Sequence, residues 1–172
     1  MEKMWRSTSL PYVLPNPEGQ ADAWSRASGT QELLEVGEVI PPTDIAAALH
    51  LPGGEPAVIR RRLMRANGRA VELTDSYYPP AIARGTPLAE HRKIRGGAPT
   101  LLTTLGHRPG RVEEDVEVRL ATADECLALE VLAGEPVMVL RRTTVSQDDQ
   151  PIEVSCMVMR PGSRLHYEIE VN

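Results

Sequence analysis

The chain has 172 residues, a net charge of -5 and 3% aromatic residues, with no phenylalanine. This length suits a single domain, and a hydrophobic content of 41% is enough for a core of aliphatic side chains and methionine. The acidic balance argues against a free-standing nucleic-acid binder, which usually carries a basic surface, and no apolar run reaches the roughly 18 residues that a membrane span requires.

The first 20 residues are expected to form an arm or linker, and residues 21–172 one domain. Prolines and glycines interrupt positions 1–30, so the sequence predicts no regular element there. No secretory signal follows Met1, which favours the cytoplasm. Trp24 is one of two tryptophans. Its ring either anchors the arm to the domain or faces a ligand.

The hydrophobic pattern predicts an α+β protein with an antiparallel sheet of about six strands and three or four flanking helices. The predicted strands are residues 33–40, 57–64, 70–78, 111–121, 137–145, 152–159 and 165–171, the last of which is expected to close the sheet. The predicted helices are residues 43–49, a short helix and loop at 82–92, residues 100–105, and a helix that Thr122 caps.

Two local features refine this prediction. Thr43 or Asp44 is expected to cap the helix that follows Pro42, because their side-chain oxygens can accept from backbone amides of the first turn. The predicted strand at 111–121 alternates apolar and charged residues, which is typical of a half-buried strand. Its apolar face consists of Val112, Val116, Val118 and Leu120.

Part of the chain recurs after about 80 positions. Residues 43–69 align with residues 123–149, and a one-residue gap in the turn then aligns Glu72 with Glu153. Each copy reads as a short helix, a Gly-Glu-Pro turn, a strand with two arginines, a polar turn and a second strand. The repeat predicts two units packed with pseudo-symmetry around one sheet. The alternative is a chance similarity between two helix–hairpin units.

Three consecutive arginines, Arg60, Arg61 and Arg62, occupy a predicted strand. Successive strand residues face opposite sides, so at least one arginine should reach a pocket or a buried carboxylate. Arg60 and Arg62 share a face, and guanidinium groups suit carboxylates and phosphates. The alternative is a set of cross-strand ion pairs with surface carboxylates, which stabilise the fold little.

Glu72 and Glu153 lie within paired strands, where glutamate is uncommon. Each would either bind a ligand hydroxyl or an arginine, or belong to a solvated face. Ser76 shares the face of Glu72 with Tyr78, and its hydroxyl would either donate to a ligand or bond to nearby protein atoms.

No catalytic motif is present: the sequence has no nucleophile elbow, P-loop, dinucleotide-binding turn or zinc-protease helix. The four histidines (His50, His91, His107, His166) lack metal-ligand spacing. Cys126 and Cys156 have no CxxC partner and are expected to be small buried side chains in a reducing compartment. We therefore expect no enzyme, no metal and no cofactor.

An ordered set of short motifs resembles the UTRA domain, the effector-binding half of GntR-type bacterial transcription regulators of the HutC subfamily. The set comprises Pro41-Pro42, Ala46-Ala47-Ala48-Leu49, Gly54, Val58-Ile59-Arg60-Arg61-Arg62, Asn67-Gly68, Asp75-Ser76-Tyr77-Tyr78-Pro79, Ala128-Leu129, Gly134-Glu135-Pro136-Val137, Arg141-Arg142 and Pro151-Ile152-Glu153-Val154. The resemblance covers about residues 20–171, and the Arg- and Ala-rich composition is similar to the actinobacterial branch.

The resemblance implies a chorismate-lyase-like fold that binds a small molecule. In the family, arginines on the first hairpin strand commonly hold an anionic group. The nearest match is Arg60 with Arg62, whereas counting back from the hairpin turn gives Arg62 with Met64. The late-strand glutamate of the family corresponds to Glu153, and the serine at the start of the middle helix to Thr100. Met159 replaces an aromatic residue of some members, which favours a different ligand.

The preferred interpretation is an anionic-effector sensor that forms a homodimer, reaches DNA only through a separate winged helix-turn-helix domain, and binds no membrane. The expected ligand-binding residues are Trp24, Arg60, Arg62, Glu72, Ser76, Tyr78, Thr100 and Glu153. One alternative is a lyase-like enzyme that uses Glu72 or Glu153 as acid or base, and another is a dimerisation module without a ligand.

Overall fold

A computed structural model describes the protein at residues 5–7, 9–16, 18, 19 and 21–169. Its centre is a six-stranded antiparallel sheet with the order β2-β3-β4-β7-β6-β5, which confirms the predicted class. Its strands are β2 (Gly29–Val39), β3 (Ala57–Ala66), β4 (Arg69–Tyr78), β5 (Pro109–Leu120), β6 (Pro136–Ser146) and β7 (Pro151–Met159). A separate two-stranded sheet joins β1 (Trp5–Ser7) to β8 (Tyr167–Ile169).

Short helices flank the sheet, and none in the described part of the chain is long and apolar enough to cross a membrane. They are α1 (Leu10–Val13), α2 (Ala23–Arg26), α3 (Thr43–Ala48), α4 (Pro80–Ala83), α5 (Ala98–Thr104) and α6 (Ala123–Leu129), with a 3-10 helix at Pro87–Ala89.

The predicted repeat is confirmed: α3-β3-β4 corresponds to α6-β6-β7, and the two units meet where β4 pairs with β7. Helices α3 and α6 cover the same face of the sheet. Ile45 of α3 packs against Ile59 and Val154, and Leu129 of α6 packs against Leu63 and Val137. Repetition of one helix–hairpin unit therefore builds the core on this face of the sheet.

The other face is covered differently. Its apolar cluster packs α4, α5 and the loop between them onto the ends of β3, β4 and β7, around Val58, Tyr78, Leu88, Leu102 and Ile152. The rest of this face lies beneath α1 and α2, and a cavity remains between them and the sheet.

Turn and cap residues set the ends of the repeated elements. Asn67 and Gly68 both take positive φ in the β3–β4 turn, as a tight hairpin requires. Helix α6 begins with a capping box between Thr122 and Glu125, which confirms the predicted cap. For α3 the predicted cap was wrong: Pro42 occupies the N-cap position and no side chain caps the helix.

The terminal segments also differ from prediction. The described part of the predicted strand 165–171 does not close the main sheet, since β8 pairs with β1 instead; Glu170 and Val171 lie outside the described residues. The edges of the main sheet are occupied by β2 and β5. Positions 1–30 are more regular than predicted and contain β1, α1 and α2, with a proline in the first turn of α1, where it fits a helix.

Strand β5 is less buried than its alternation predicts. Val116, Val118 and Leu120 expose 48%, 68% and 65% of their surface, and only Val112 is half-buried on that face. The reason is topological: β5 is an edge strand, and periodicity reports which residues share a face, not whether the fold covers that face.

Candidate ligand-binding cavity

A cavity of about 460 Å³ lies on the sheet face opposite α3 and α6. This volume is within the usual range for small-molecule sites. The floor is formed by inward-facing side chains of four neighbouring strands: Arg60, Arg62, Met64, Glu72, Thr74, Tyr78, Leu140, Arg142, Thr144, Glu153, Ser155, Met157 and Met159. The roof includes α1, α2 and residues 96–99 at the start of α5.

Arg62 is the cation of this floor with unused hydrogen-bonding capacity. Its Nη2 donates to Ser76 Oγ at 2.8 Å, whereas its buried Nε has no hydrogen-bond partner among the described residues. A buried donor without an acceptor is costly and rare in folded proteins. An acceptor group on a ligand in the cavity would remove this cost, and an anion would do so most strongly.

A chain of hydroxyl groups leads away from Arg62. Ser76 Oγ lies 2.7 Å from Ser155 Oγ, which donates to Glu153 Oε1 at 2.7 Å. The Tyr78 hydroxyl donates to the same carboxylate oxygen at 3.2 Å. Burial raises the pKa of Tyr78 strongly, and the Glu153 charge raises it further, so the phenol is held in its protonated, donating form.

Glu72 is the second carboxylate of the floor. Its Oε1 accepts from Thr74 Oγ1 at 2.5 Å. Burial raises the pKa of Glu72 above its ordinary value, although the Thr74 hydrogen bond and the charges of Arg62 and Arg142 oppose the shift. The group is thus less inclined to carry a charge than a surface glutamate is.

Arg60 has a supporting position. It is buried, and its Nη1 donates to the carbonyls of Pro87, Leu88 and Glu90 at 3.2, 2.9 and 2.8 Å, while its Nη2 donates to the Arg92 carbonyl at 2.6 Å. Burial lowers the pKa of its guanidinium. These bonds fasten the 87–92 loop to the sheet, so both amino groups of Arg60 already have protein partners.

Trp24 anchors its segment to the sheet and also lines the cavity. Its ring lines the cavity, and its Nε1 donates to the carbonyls of Thr30 and Arg65 at 2.9 and 3.2 Å. The indole lies directly over Gly29, where a Cβ would come within 2.1 Å of Nε1. The missing side chain at position 29 therefore allows Trp24 to fix α2 against β2 and β3.

Thr100 and Ser76 are near the cavity without lining it. Thr100 Oγ1 accepts from the Asn16 amide and donates to the Gly96 carbonyl, both at 2.9 Å, and so ties the N-terminal arm to α5. Ser76 is fully buried beneath the floor, where it joins Arg62 to Ser155.

Other polar residues of the cavity were not predicted as site residues from the sequence. Arg142 is buried and its Nε donates to Glu114 Oε1 of β5 at 2.7 Å. Asp22 of the roof accepts from Gln31 at 2.6 Å. Burial would raise the pKa of Asp22, but hydrogen bonds from Ser25 and the charge of Lys93 hold it below its ordinary value. The repeat offered a signal for Arg142, since that residue aligns with Arg62.

A second, polar cleft of about 550 Å³ lies on the opposite face, between α3 and α6. Its arginines are all paired: Arg61 with Asp75 at 2.7 Å, Arg141 with Asp115 at 3.0 Å, and Arg119 with Glu125 at 2.7 Å. Arg61 therefore forms a cross-strand ion pair, which was the alternative to a ligand-binding role. This cleft has no partner-free buried donor comparable with Arg62 among the described residues.

Both cysteines are free and half-buried, and burial raises the pKa of Cys156 to about 11. In the described part of the chain, no group of three or more His, Cys, Asp or Glu side chains is arranged to hold a metal ion. The arrangement therefore offers a hydrogen-bonding and electrostatic pocket, in which the buried Nε of Arg62 has no partner among the described residues.

Comparisons with known proteins match this architecture. Residues 27–163 match the UTRA domain family. The chain is 30% identical over 169 residues to an uncharacterised HTH-type transcriptional regulator of Streptomyces coelicolor, covering 96% of this chain and 61% of that protein. It is 29% identical over 173 residues to an HTH-type transcriptional regulator of Mycobacterium tuberculosis, covering 91% and 62%. The chain therefore spans about three fifths of these relatives.

Solved structures share the fold. A ligand-binding domain from Bordetella bronchiseptica, assigned to GntR-family regulators, superposes with a TM-score of 0.72 at 24% identity, covering 94% of this chain and 96% of that one. The effector domain of PhnF from Mycobacterium smegmatis gives a TM-score of 0.70 at 21% identity, covering 86% and 93%. These matches confirm the predicted chorismate-lyase-like arrangement of an open antiparallel sheet with flanking helices.

Proposed function

The chain belongs to the UTRA domain family, and from this premise we propose that it is the small-molecule-binding regulatory part of a bacterial transcription regulator. Its curated relatives are named as HTH-type transcriptional regulators and are longer than this chain. In the proposed arrangement, contact with DNA belongs to a winged helix-turn-helix domain, and the cavity described above receives the effector.

The observation that carries this proposal is the buried Nε of Arg62, which has no hydrogen-bond partner in the described part of the chain while its side chain lines the cavity. Residues from all six strands of the main sheet and from α1, α2 and α5 line this space, and such a cavity with a few polar groups is the usual form of a ligand site. The unpaired donor supports an anionic effector.

We assign direct contact with the effector to Trp24, Arg62, Glu72, Tyr78 and Glu153, all of which line the cavity. The other residues of the predicted set act indirectly. Ser76 orients Arg62, Arg60 holds the 87–92 loop, and Thr100 holds the arm.

The polar groups of the cavity favour binding over catalysis. The raised pKa of Tyr78 keeps its phenol protonated, so this hydroxyl can donate a hydrogen bond to a ligand but is not prepared as a nucleophile. As a sensor, the domain would form a homodimer and act by differential affinity: the effector shifts the regulator toward whichever state binds it more tightly.

A thermal-shift screen of the chain against anionic metabolites tests the proposal, because a ligand that binds only the folded state raises the melting temperature. Arg62→Ala is the test variant. Arg69→Ala is the matched control, since Arg69 is exposed at the β3–β4 turn. We expect a ligand whose shift persists in Arg69→Ala and disappears in Arg62→Ala. An equal shift in both variants would remove Arg62 from the site, and no ligand in a broad screen would contradict the sensor function.

A further inference from the structure

The repeat gives the cavity two related halves. Arg62 of β3 and Arg142 of β6 align in the two units, and both line the cavity. Each half also contains a carboxylate with a hydroxyl donor two residues further along the strand. Thr74 donates to Glu72 at 2.5 Å, and Ser155 donates to Glu153 at 2.7 Å.

The halves differ at the strand outside each arginine. On β5 the cross-strand neighbour of Arg142 is Glu114, and the two side chains form an ion pair at 2.7 Å with 10% and 13% exposure. On β2 the cross-strand neighbour of Arg62 is Leu33, which also lines the cavity. Directly opposed side chains on neighbouring strands are within contact distance. One arginine is therefore neutralised by its neighbour, and the other is not.

We infer that the effector is a compound with a single anionic group bound at Arg62 and an apolar body, and that Leu33 is the residue that leaves Arg62 open for it. This inference rests on the proposed function. It deepens that function by stating the ligand class and a specificity-determining residue outside the predicted set.

Among the described residues, Arg62 Nε is the one buried side-chain donor of the cavity without a partner. The other cations of the lining are either solvent-exposed, as Arg26 and Arg164 are, or paired, as Lys93 is with Asp22. Glu72 and Glu153 lie on β4 and β7, between the strands that carry Arg62 and Arg142, so a second anion placed there would meet carboxylates. The charge of the Arg142 guanidinium is already neutralised, since its Nε donates to the Glu114 carboxylate.

Apolar side chains provide the surface for the body of the ligand: Met64, Leu102, Leu140, Met157, Met159 and Leu165 line the cavity. Methionine side chains are flexible and polarisable, so they fit apolar groups of irregular shape.

Isothermal titration calorimetry with octanoate, octanedioate and octanol tests this. The three probes share an apolar chain and carry one, two and no carboxylates. For the wild-type chain we expect octanoate to bind at least about tenfold tighter than octanedioate or octanol. The reason is that one charge-assisted hydrogen bond to Arg62 contributes about this much affinity. Tighter binding of octanedioate or octanol would overturn the single-anion inference.

Leu33→Glu gives Arg62 the same kind of carboxylate neighbour that Arg142 has, because residue 33 lies opposite Arg62 as Glu114 lies opposite Arg142. We expect octanoate affinity to fall about tenfold or more. Leu33→Met is the control of similar volume without an acceptor for Arg62, and it should retain octanoate affinity within about threefold. Equal losses in both variants would show that Leu33 contributes shape alone and would overturn its assigned role.

Glu114→Leu makes the reverse change and opens Arg142. This variant should bind octanedioate more tightly than the wild type does, because two arginines can then each take one carboxylate. If it does not fold, the Leu33 pair still decides the role of Leu33. Failure of all three probes, with a different class of effector found in the thermal-shift screen, would overturn this inference and leave the sensor function standing. Failure of both experiments would contradict the sensor function itself.

Discussion

The side-chain hydroxyls of Ser76 and Ser155 lie 2.7 Å apart at the boundary between the two repeat units, where β4 pairs with β7. Both residues are buried. Arginine can only donate and a carboxylate accepts, so with Arg62 at one end and Glu153 at the other, each serine proton must point toward Glu153. The proposed anion site and the half-buried carboxylate of Glu153 are therefore connected by one ordered chain of hydrogen bonds.

Ser76→Ala should break this chain. Arg62 then loses its acceptor and Ser155 loses the proton it accepts, which we expect to lower the free energy of unfolding by about 1–3 kcal/mol. Urea unfolding measures the loss. The octanoate affinity should also change, because Ser76 holds the Arg62 guanidinium in place.

A double-mutant cycle with Ser155→Ala separates the chain from the individual side chains. Bonded neighbours usually show coupling of about 0.5–3 kcal/mol, so the double variant should lose less than the sum of the single losses. Additive losses would mean that the two hydroxyls stabilise the fold independently, contrary to the 2.7 Å contact.

Arg60→Met and Arg61→Met should differ sharply although the residues are adjacent. Removing Arg60 leaves several carbonyls of the 87–92 loop without their donor, and we expect a loss of about 2 kcal/mol or more in unfolding free energy. Arg61 is a half-exposed partner of Asp75, and its removal should cost under about 1 kcal/mol. Chemical denaturation of both variants measures this, and similar losses would contradict the structural role of Arg60.

The sequence predicted the repeat, the six-stranded sheet and the position of Arg62, because turn residues, strand alternation and aligned arginines are local signals. The sequence could not show that Arg60 and Arg62 have different roles. Both face the cavity side of β3, and the difference arises from the 87–92 loop, whose carbonyls reach Arg60 from almost 30 positions away. Such a contact has no pattern in the strand itself.

The sequence also could not predict which residues lie opposite each other on neighbouring strands. The pairing of β4 with β7 brings Ser76 to Ser155, and that of β2 with β3 places Leu33 beside Arg62; both registers depend on tertiary structure. The exposed valines of β5 and the pairing of β8 with β1 have the same origin. Alternation identifies a face, but only the assembled sheet shows what lies over it or next to it.

Glu72→Gln should stabilise the protein at neutral pH. The folded-state pKa of Glu72 is raised above its ordinary 4.5 by burial, so between 4.5 and the folded-state value the folded protein binds more protons and loses stability as the pH rises. Glutamine carries no charge to bury and can still accept from Thr74. The variant should be more stable than the wild type at pH 7, and the difference should vanish below pH 4.5.

Glu125→Gln should change the stability at neutral pH in the opposite direction. Hydrogen bonds from Arg119, with Thr122, lower the pKa of Glu125 despite burial, so its charged form contributes stability above 4.5 that is lost as the pH falls through the lower folded-state value. This variant should lose about 1 kcal/mol at pH 7 and match the wild type in strong acid. Thermal unfolding between pH 3 and 8 measures both variants, and the same sign for both would contradict the assigned environments.

Leu129→Ala separates the core from the cavity. Leu129 is fully buried on the inner side of α6, packed against Leu63 and Val137 on the face opposite the cavity. Truncation should lower the free energy of unfolding by about 2–5 kcal/mol, because the removed methyl groups leave a void in a packed core. Octanoate affinity, measured by calorimetry well below the variant's melting temperature, should remain within about twofold of the wild type, since none of these residues lines the cavity. A large loss of affinity in a folded variant would mean that the two faces of the sheet are coupled, and that the repeat helices take part in the response to the effector.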